Sequence, residues 1–130
     1  MKKFFIAFAS LVLFYGCTQK QDNHKAALVG KPKIQVQDGR FTPEVMWALG
    51  KMNEKAVSPD GKQIAYTVTY YDMDENKGNA EIYLIPAEGG DATRLTQTSA
   101  SEFNLVWQDE STLLFCRDND IRSMEVKSGK

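Results

Sequence analysis

The sequence predicts an all-β fold, an incomplete β-propeller of about one and a half four-stranded blades preceded by one short helix. Two observations lead to this prediction: a strand–turn–strand pattern beginning at residue 56, and a second copy of it 49 residues further along the chain. Four-stranded units that recur every 40–50 residues or so are typical of β-propellers. A β-sandwich that contains two similar hairpins is the alternative.

The first hairpin is organised around the turn Ser58, Pro59, Asp60 and Gly61. Proline presets φ at the first central position of a turn, aspartate suits the second, and glycine takes the left-handed conformation that follows. Beyond the turn, apolar and polar side chains alternate through residues 63–70, as expected for a strand. Asp60 is therefore assigned a structural role in the turn.

The remaining elements of the first unit are also short and bounded by turn residues. The strands are predicted at 56–57, 63–70, 82–85 and 93–96. A long polar hairpin loop is predicted over residues 71–80. Pro86 is expected to end the third strand, because proline cannot donate to the ladder of a central strand.

The pattern then begins again, although its turn at residues 108–111 lacks both proline and glycine. The repeated segments are 105–107 after 56–58, 113–115 after 64–66, 120–124 after 81–85, and 128–129 after 89–90. A propeller closes with about four to eight blades. The chain is therefore expected to be the N-terminal part of a longer polypeptide, with sheet faces that remain exposed when it is alone.

The N-terminus has the pattern of an export signal. Lys2 and Lys3 precede an apolar run that ends at Gly16 and Cys17. This run has the length of a secretory signal and is too short to span a bilayer as a mature helix. The small residue before Cys17 resembles the processing site of bacterial lipoproteins, which predicts a signal peptide at residues 1–16.

In that lipoprotein interpretation, Cys17 is the lipid attachment residue and residues 17–40 form a flexible tether. The expected location is outside the cytoplasm, as a periplasmic or outer-membrane-anchored lipoprotein of a Gram-negative bacterium. The membrane is then a partner through the lipid anchor. An ordinary signal peptide with an incidental cysteine is the alternative.

A short helix is predicted between the tether and the first strand. Thr42 can cap it, Pro43 suits its first position, Glu44 favours its positive end, and Gly50 can stop it. Trp47 is too large to remain fully exposed without a reason. The pattern leaves open whether this helix packs on its own domain or docks onto a neighbouring one.

The composition and the reactive residues exclude several functions for this chain. Lys and Arg number 16 against 17 Asp and Glu, and the net charge of −1 gives no indication of nucleic-acid binding. His24, the single histidine, lies in the tether, and no G-x-S-x-G motif is present. Cys116 is predicted to be a packed thiol. We therefore expect no catalytic residues and no cofactor here.

A metal site is also not supported. Asp72, Asp74 and Asn76 alternate as at the start of a calcium-binding loop, but Lys77 stands where glycine is needed and Tyr83 where a bidentate glutamate is needed. A solvated hairpin tip is the better interpretation. Neither cysteine belongs to a C-x-x-C pair, so zinc binding is unsupported as well.

Residues 41–47, followed by residues 56–62, resemble the opening of the prolyl-oligopeptidase family of serine peptidases, in its dipeptidyl peptidase V and acylaminoacyl-peptidase branch. Residues 70–72, 75–77, 81–83 and 94–96 continue the resemblance, which covers residues 41–130. The resemblance implies a propeller that covers a C-terminal α/β-hydrolase domain of the same polypeptide.

In that family the hydrolase domain carries a Ser-Asp-His triad, and the propeller gates the access of short peptide substrates. None of the triad positions falls within this chain. The resemblance therefore implies an exported serine peptidase of which residues 41–130 are the first propeller blades. The alternative is a non-catalytic propeller lipoprotein that resembles the TolB-like periplasmic proteins and acts as a binding scaffold.

Overall fold

A computed structural model describes residues 29–36 and 38–127. Seven strands follow one short helix in the order α1 (Pro43–Ala48), β1 (Lys51–Val57), β2 (Gln63–Asp72), β3 (Lys77–Pro86), β4 (Thr93–Arg94), β5 (Phe103–Trp107), β6 (Thr112–Arg117) and β7 (Asp120–Glu125). The strands form two antiparallel sheets, ordered β1-β2-β3-β4 and β5-β6-β7. The predicted all-β class is confirmed, and the arrangement is consistent with two successive blades of an incomplete propeller.

The predicted signal peptide, Cys17 and His24 lie outside the described residues. Within the described ranges, no helix has both the length and the apolar character needed to cross a bilayer.

The helix α1 forms where the sequence predicts it. Thr42 has an extended backbone and its hydroxyl oxygen accepts a hydrogen bond of 3.4 Å from the backbone N–H of Val45. Pro43 is the first helical residue, and Glu44 lies in the first turn, next to the positive end of the helix dipole. Val45 is the buried residue of the helix. Trp47 and Ala48 are half-buried, and Met46 is exposed.

The prediction of a long polar loop over residues 71–80 is wrong. Strands β2 and β3 continue through this segment, and Asp72 pairs with Lys77 across a tight turn at residues 73–76. The Asp72 carboxylate accepts 3.0 Å hydrogen bonds from the backbone N–H groups of Asp74 and Glu75, which closes the turn. Because the turn is closed locally, the polar flanks remain paired as strands.

Two other strand boundaries also differ from prediction. Strand β1 begins at Lys51 instead of residue 56, with an irregularity between Met52 and Lys55. Strand β4 ends at Arg94 instead of residue 96. There the backbone N–H of Ile82 donates to the side-chain hydroxyl of Thr96 at 2.8 Å, so a side chain takes the place of the next backbone partner.

The core lies between the two sheets. The first sheet contributes Ala65, Ile82 and Leu84, and the second contributes Leu113 and Phe115, with Val126 beyond its last strand. Burying a large apolar side chain contributes about 1.5–3 kcal/mol, so these contacts are the main stabilising term of the fold. The indole N–H of Trp107 also donates to the backbone oxygen of Ala56 at 3.0 Å and joins the innermost strands of the two sheets.

The second sheet repeats the register of the first. Val57 pairs with Ile64 in the first sheet, and Trp107 pairs with Leu113 in the second, which gives offsets of 50 residues for the first strand and 49 for the second strand. The turn between the strands is therefore one residue shorter in the second copy. By the same register Ile64 corresponds to Leu113, and Ala65 corresponds to Leu114.

The two copies use opposite faces in the core. In the first sheet the face with Ala65 is buried, whereas in the second sheet the face with Leu113 is buried. One sheet therefore contacts the next through non-equivalent surfaces, as successive blades of a propeller do. Each sheet consequently has a second face without a sheet packed against it in the described part of the chain.

A buried ion pair fixes the outer part of the first sheet. Arg94 approaches Glu81 with two nitrogens, Nη2 to Oε1 at 2.7 Å and Nε to Oε2 at 2.8 Å. Glu81 is 1% exposed and also accepts hydrogen bonds from the Asn79 side chain and the Thr98 backbone N–H. These contacts hold Thr98, in the segment that connects β4 to β5, against β3.

A second buried carboxylate, Glu102, fixes the end of that connection. Its Oε2 accepts a 2.9 Å hydrogen bond from the Thr96 hydroxyl, and its Oε1 lies 2.7 Å from the Thr98 hydroxyl. Arg117 of β6 approaches the same carboxylate at 3.4 Å. Glu102, which is 0% exposed, therefore links the segment between β4 and β5 to the second sheet.

Candidate functional site

The described residues contain no group of three or more histidine, cysteine, aspartate or glutamate side chains placed to hold a metal ion. Asp72 and Asp74 lie at the tip of the β2–β3 hairpin, where the Asp72 carboxylate is engaged by backbone N–H groups of its own turn. Asn76 ends that turn with a φ of +47°. The carboxylate of Asp72 thus closes the turn of its own hairpin.

The turn at Ser58, Pro59, Asp60 and Gly61 is a closed hydrogen-bonded unit. The Ser58 hydroxyl donates to Asp60 Oδ1 at 2.7 Å, and the backbone N–H of Lys62 donates to the same oxygen at 3.1 Å. These bonds, with that of Ser58 first, lower the pKa of Asp60 from 3.8 to about 2. Gly61 has a φ of +72°, which a residue with a side chain rarely adopts. The side chains of Ser58 and Asp60 are therefore both engaged in holding the shape of the turn.

The second hairpin closes with an aspartate in place of proline and glycine. Asp109 Oδ1 accepts hydrogen bonds from the backbone N–H groups of Ser111 and Thr112, at 2.8 and 2.7 Å. The Ser111 hydroxyl lies 3.0 Å from the same oxygen. Hydrogen bonds from Ser111 lower the pKa of Asp109. An aspartate side chain thus closes this turn as Asp60 closes the first one, although the neighbouring residues differ. Asp109 therefore also has a structural role.

Cys116 is half-buried and lies on the face of the second sheet that points away from the core. Its sulfur is 3.8 Å from the side-chain nitrogen of Asn104 and its strand neighbours are Phe103 and Ile121. Cys116 is thus only partly packed in the described structure, because no other sheet covers this face.

The sequence did not predict a groove that lies beside α1. It has a volume of about 640 Å³ and is mostly apolar. Its lining comes from three separate segments: Val29, Gly30 and Pro32; Pro43, Glu44, Trp47 and Ala48; Tyr71, Asp72 and Met73. The one signal for it in the sequence was the size of Trp47, which cannot be left in water without cost.

The groove is organised by an aromatic pair and one cation. The rings of Trp47 and Tyr71 meet edge to face, with centroids 5.2 Å apart and planes inclined by 75°. The Lys51 ammonium lies 3.8 Å from the Trp47 ring centroid and 4.8 Å from that of Tyr71. Cation–π contacts of this kind contribute about 0.5–1 kcal/mol at exposed sites. They orient the indole along the junction between α1 and β2.

The outer face of the first sheet carries a second aromatic pair. The rings of Tyr66 and Tyr83 stack with centroids 5.7 Å apart and planes inclined by 24°. Partial burial raises the pKa of both phenols. The two rings provide an aromatic packing surface on this face of the sheet. The described residues thus offer surfaces for docking, namely the groove and two sheet faces.

No protein-family model matches the chain. Among curated proteins, it is similar to dipeptidyl-peptidase 5 of Porphyromonas gingivalis, with 29% identity over 106 residues that cover 78% of this chain and 16% of the relative. It is also similar to dipeptidyl-peptidase 5 of Porphyromonas endodontalis, with 24% identity over 82 residues that cover 62% of this chain and 12% of the relative. The chain thus spans less than a fifth of these relatives. The similarities make it a distant relative of dipeptidyl peptidases.

Proposed function

We propose that this chain is the N-terminal propeller segment of an exported serine peptidase that hydrolyses short peptides and releases dipeptides. In this proposal the two sheets are the first blades of a propeller that gates access to a C-terminal α/β-hydrolase domain of the same polypeptide. The hydrolase domain supplies the nucleophile, base and orienting acid that such chemistry requires. This chain supplies part of the gate.

The observation that carries the proposal is the 29% identity over 106 residues to a dipeptidyl peptidase. The packing of the two sheets supports it, since one sheet contacts the next through non-equivalent faces and the register repeats.

We assign helix α1 and its groove to the contact between the propeller and the hydrolase domain. The groove is apolar, and the helix leaves Met46 and Leu49 exposed on its surface. Side chains of this kind are stabilised when a partner surface removes them from water. Deleting residues 41–50 from the complete polypeptide should lower both its unfolding temperature and its peptidase rate, and unchanged values of both would contradict the assignment.

The proposed location rests on the sequence pattern of residues 1–17. Cleavage before Cys17 and acylation of its sulfur would anchor the protein to a membrane, in the periplasm or at the outer membrane. Metabolic labelling with a clickable palmitate analogue tests this step directly. Incorporation into the wild type and its loss in Cys17→Ser are expected, and equal labelling of both would refute the anchor.

The activity is tested with the polypeptide encoded by the complete gene and with the 130-residue chain, side by side. A panel of dipeptidyl chromogenic substrates should be hydrolysed by the complete polypeptide, and a serine-directed phosphonate should abolish the hydrolysis. The 130-residue chain should give no turnover. Turnover by that chain, or a coding sequence without a hydrolase domain, would refute the proposal and favour the scaffold alternative.

A further inference from the structure

The chain reverses direction between residues 29–36 and α1. Asp38 and Gly39 form a turn in which both residues have a positive φ, +52° and +65°. Consecutive residues of this conformation occur in tight turns that fold one segment back on the next. Residues 29–36, which we call the strap, therefore lie alongside the helix that follows the turn.

The strap crosses one face of α1. Val29 and Pro32 line the groove beside the helix, whereas residues 33–35 line a second cavity of about 410 Å³. Glu44 and Ala48 line both cavities, and residues that are four apart share one face of a helix. The strap thus passes over this face just after Pro32, with open space on either side of the crossing.

One buried side chain holds the strap in place. Val29 is 6% exposed, whereas Ile34 and Val36 are 40% and 53% exposed. Within the described ranges, no backbone hydrogen bond and no ion pair joins the strap to the other residues. The strap is therefore held by the removal of one valine from water.

Opening of the strap would uncover an aromatic surface. Val29 lines the same groove as Trp47, Tyr71 and Met73. A segment with few buried apolar contacts opens at a lower free energy than the core of a fold. Because the strap has one such contact and the two sheets share a core, the strap can leave the groove while the sheets remain folded.

We propose that the strap is a hinged cover of the groove beside α1, which closes by insertion of Val29 and opens about the turn at Asp38 and Gly39. In the closed state the chain occupies part of its own groove, and in the open state the whole apolar lining is accessible to another surface. The strap thereby couples the segment that precedes it to the accessibility of the groove. The inference goes beyond the proposed function and does not depend on it, because it concerns contacts within residues 29–73.

Tryptic cleavage after Lys33 measures the opening, because a protease requires extended backbone that is free of packed contacts. Val29→Ser in the 130-residue chain should accelerate this cleavage about tenfold or more, since the rate follows the population of the open form. Val36→Ser is the matched control, because it makes the same substitution in the strap at an exposed position, and it should be cleaved at the wild-type rate. Equal rates for Val29→Ser and the wild type, or equal acceleration by both variants, would overturn the proposal.

Fluorine NMR of the 5-fluorotryptophan-labelled chain distinguishes opening of the groove from unfolding of the sheets. Trp47 lines the groove and Trp107 joins the two sheets, so each of the two tryptophans reports on one event. In Val29→Ser a soluble gadolinium chelate should broaden the Trp47 signal more than in the wild type and should affect the Trp107 signal equally in both. An altered Trp107 signal would mean that the strap cannot leave without loss of the sheets, and would overturn the proposal. Unchanged broadening of both signals would overturn it as well, since the groove would have stayed covered.

Discussion

Replacing Arg94 by methionine should destabilise the protein strongly, because it leaves the buried Glu81 carboxylate without its cation. Removing one partner of a buried ion pair costs about 3–5 kcal/mol. Here Glu81 keeps the hydrogen bonds from Asn79 and the Thr98 backbone, and the Arg94 side chain is 28% exposed. We therefore expect a loss of about 2–3 kcal/mol of unfolding free energy, somewhat less than for a fully buried pair.

Equilibrium urea unfolding followed by tryptophan fluorescence measures this loss. With a urea slope of about 1–3 kcal/mol per molar, the midpoint should fall by roughly 1–3 M. Arg122→Met is the matched control, because Arg122 and Asp120 form an exposed pair at 3.6 Å. Such a pair contributes about 0–1 kcal/mol. The reasoning is refuted if the two variants lose equal stability.

Adding Glu81→Gln to Arg94→Met should restore part of the loss, since an amide is less costly to bury than a carboxylate.

Three further predictions concern the core, the helix junction and the first turn. Leu113→Ala should cost about 2–5 kcal/mol in urea unfolding, because the side chain is fully buried, whereas Ile121→Ala in the 130-residue chain should cost less than about 0.5 kcal/mol. Gly50→Ala should destabilise by about 1–3 kcal/mol, because its Cβ would lie 2.7 Å from Val68 Cγ1, and an effect near zero in the same assay would contradict this contact. Ser58→Ala should raise the pKa of the nearby turn aspartate from about 2 towards 3.8 in an NMR titration, and an unchanged pKa would exclude the serine hydroxyl as its main cause.

The pH dependence that follows from this turn has a definite sign. The folded protein holds the pKa of Asp60 at about 2, below its ordinary value of 3.8. Folding therefore favours the ionised carboxylate, and the contribution to stability is fully present above pH 3.8. It decreases as the pH falls through about 2. Ser58→Ala should reduce this dependence within that window.

Local turn and cap chemistry accounts for the part of the fold that could be predicted from sequence. Thr42 and Pro43 define the start of α1, and Pro86 ends β3 as expected. These residues act through their own backbone geometry, so their effect does not depend on distant contacts. The repeat located both sheets because the strand pattern of the first hairpin recurs in the second, although the second turn lacks proline and glycine.

The errors occur where pairing across strands outweighs local composition. Residues 71–80 are polar and contain glycine, which favours a loop, yet they extend β2 and β3 because the tight turn at Asp72 holds the two flanks in register. The start of β1 was missed since its irregular pairing hides the alternation. Strand composition depends on packing more than on intrinsic preference, which limits such predictions.

The candidate site was the least predictable part. Its groove is assembled from segments that are more than ten residues apart, around Pro32, Trp47 and Tyr71. No spacing rule in one sequence relates such segments to one another. The sequence did identify Trp47 as a residue that needed a contact, and the structure supplies Tyr71 and Lys51 for that purpose.

The packing of the repeat decides what kind of function the described residues can have. If both sheets had used the same face, as two halves of a closed sandwich do, the core would be complete and the outer faces would be expected to be polar. Instead the first sheet buries the Ala65 face and the second buries the Leu113 face. Tyr66 and Ile121 are consequently left on the two outer faces, although both are large and apolar enough to favour burial. A unit built in this way gains stability from each neighbour that it acquires. In the proposed function its contribution would therefore be geometric, because it would set the position of adjacent sheets.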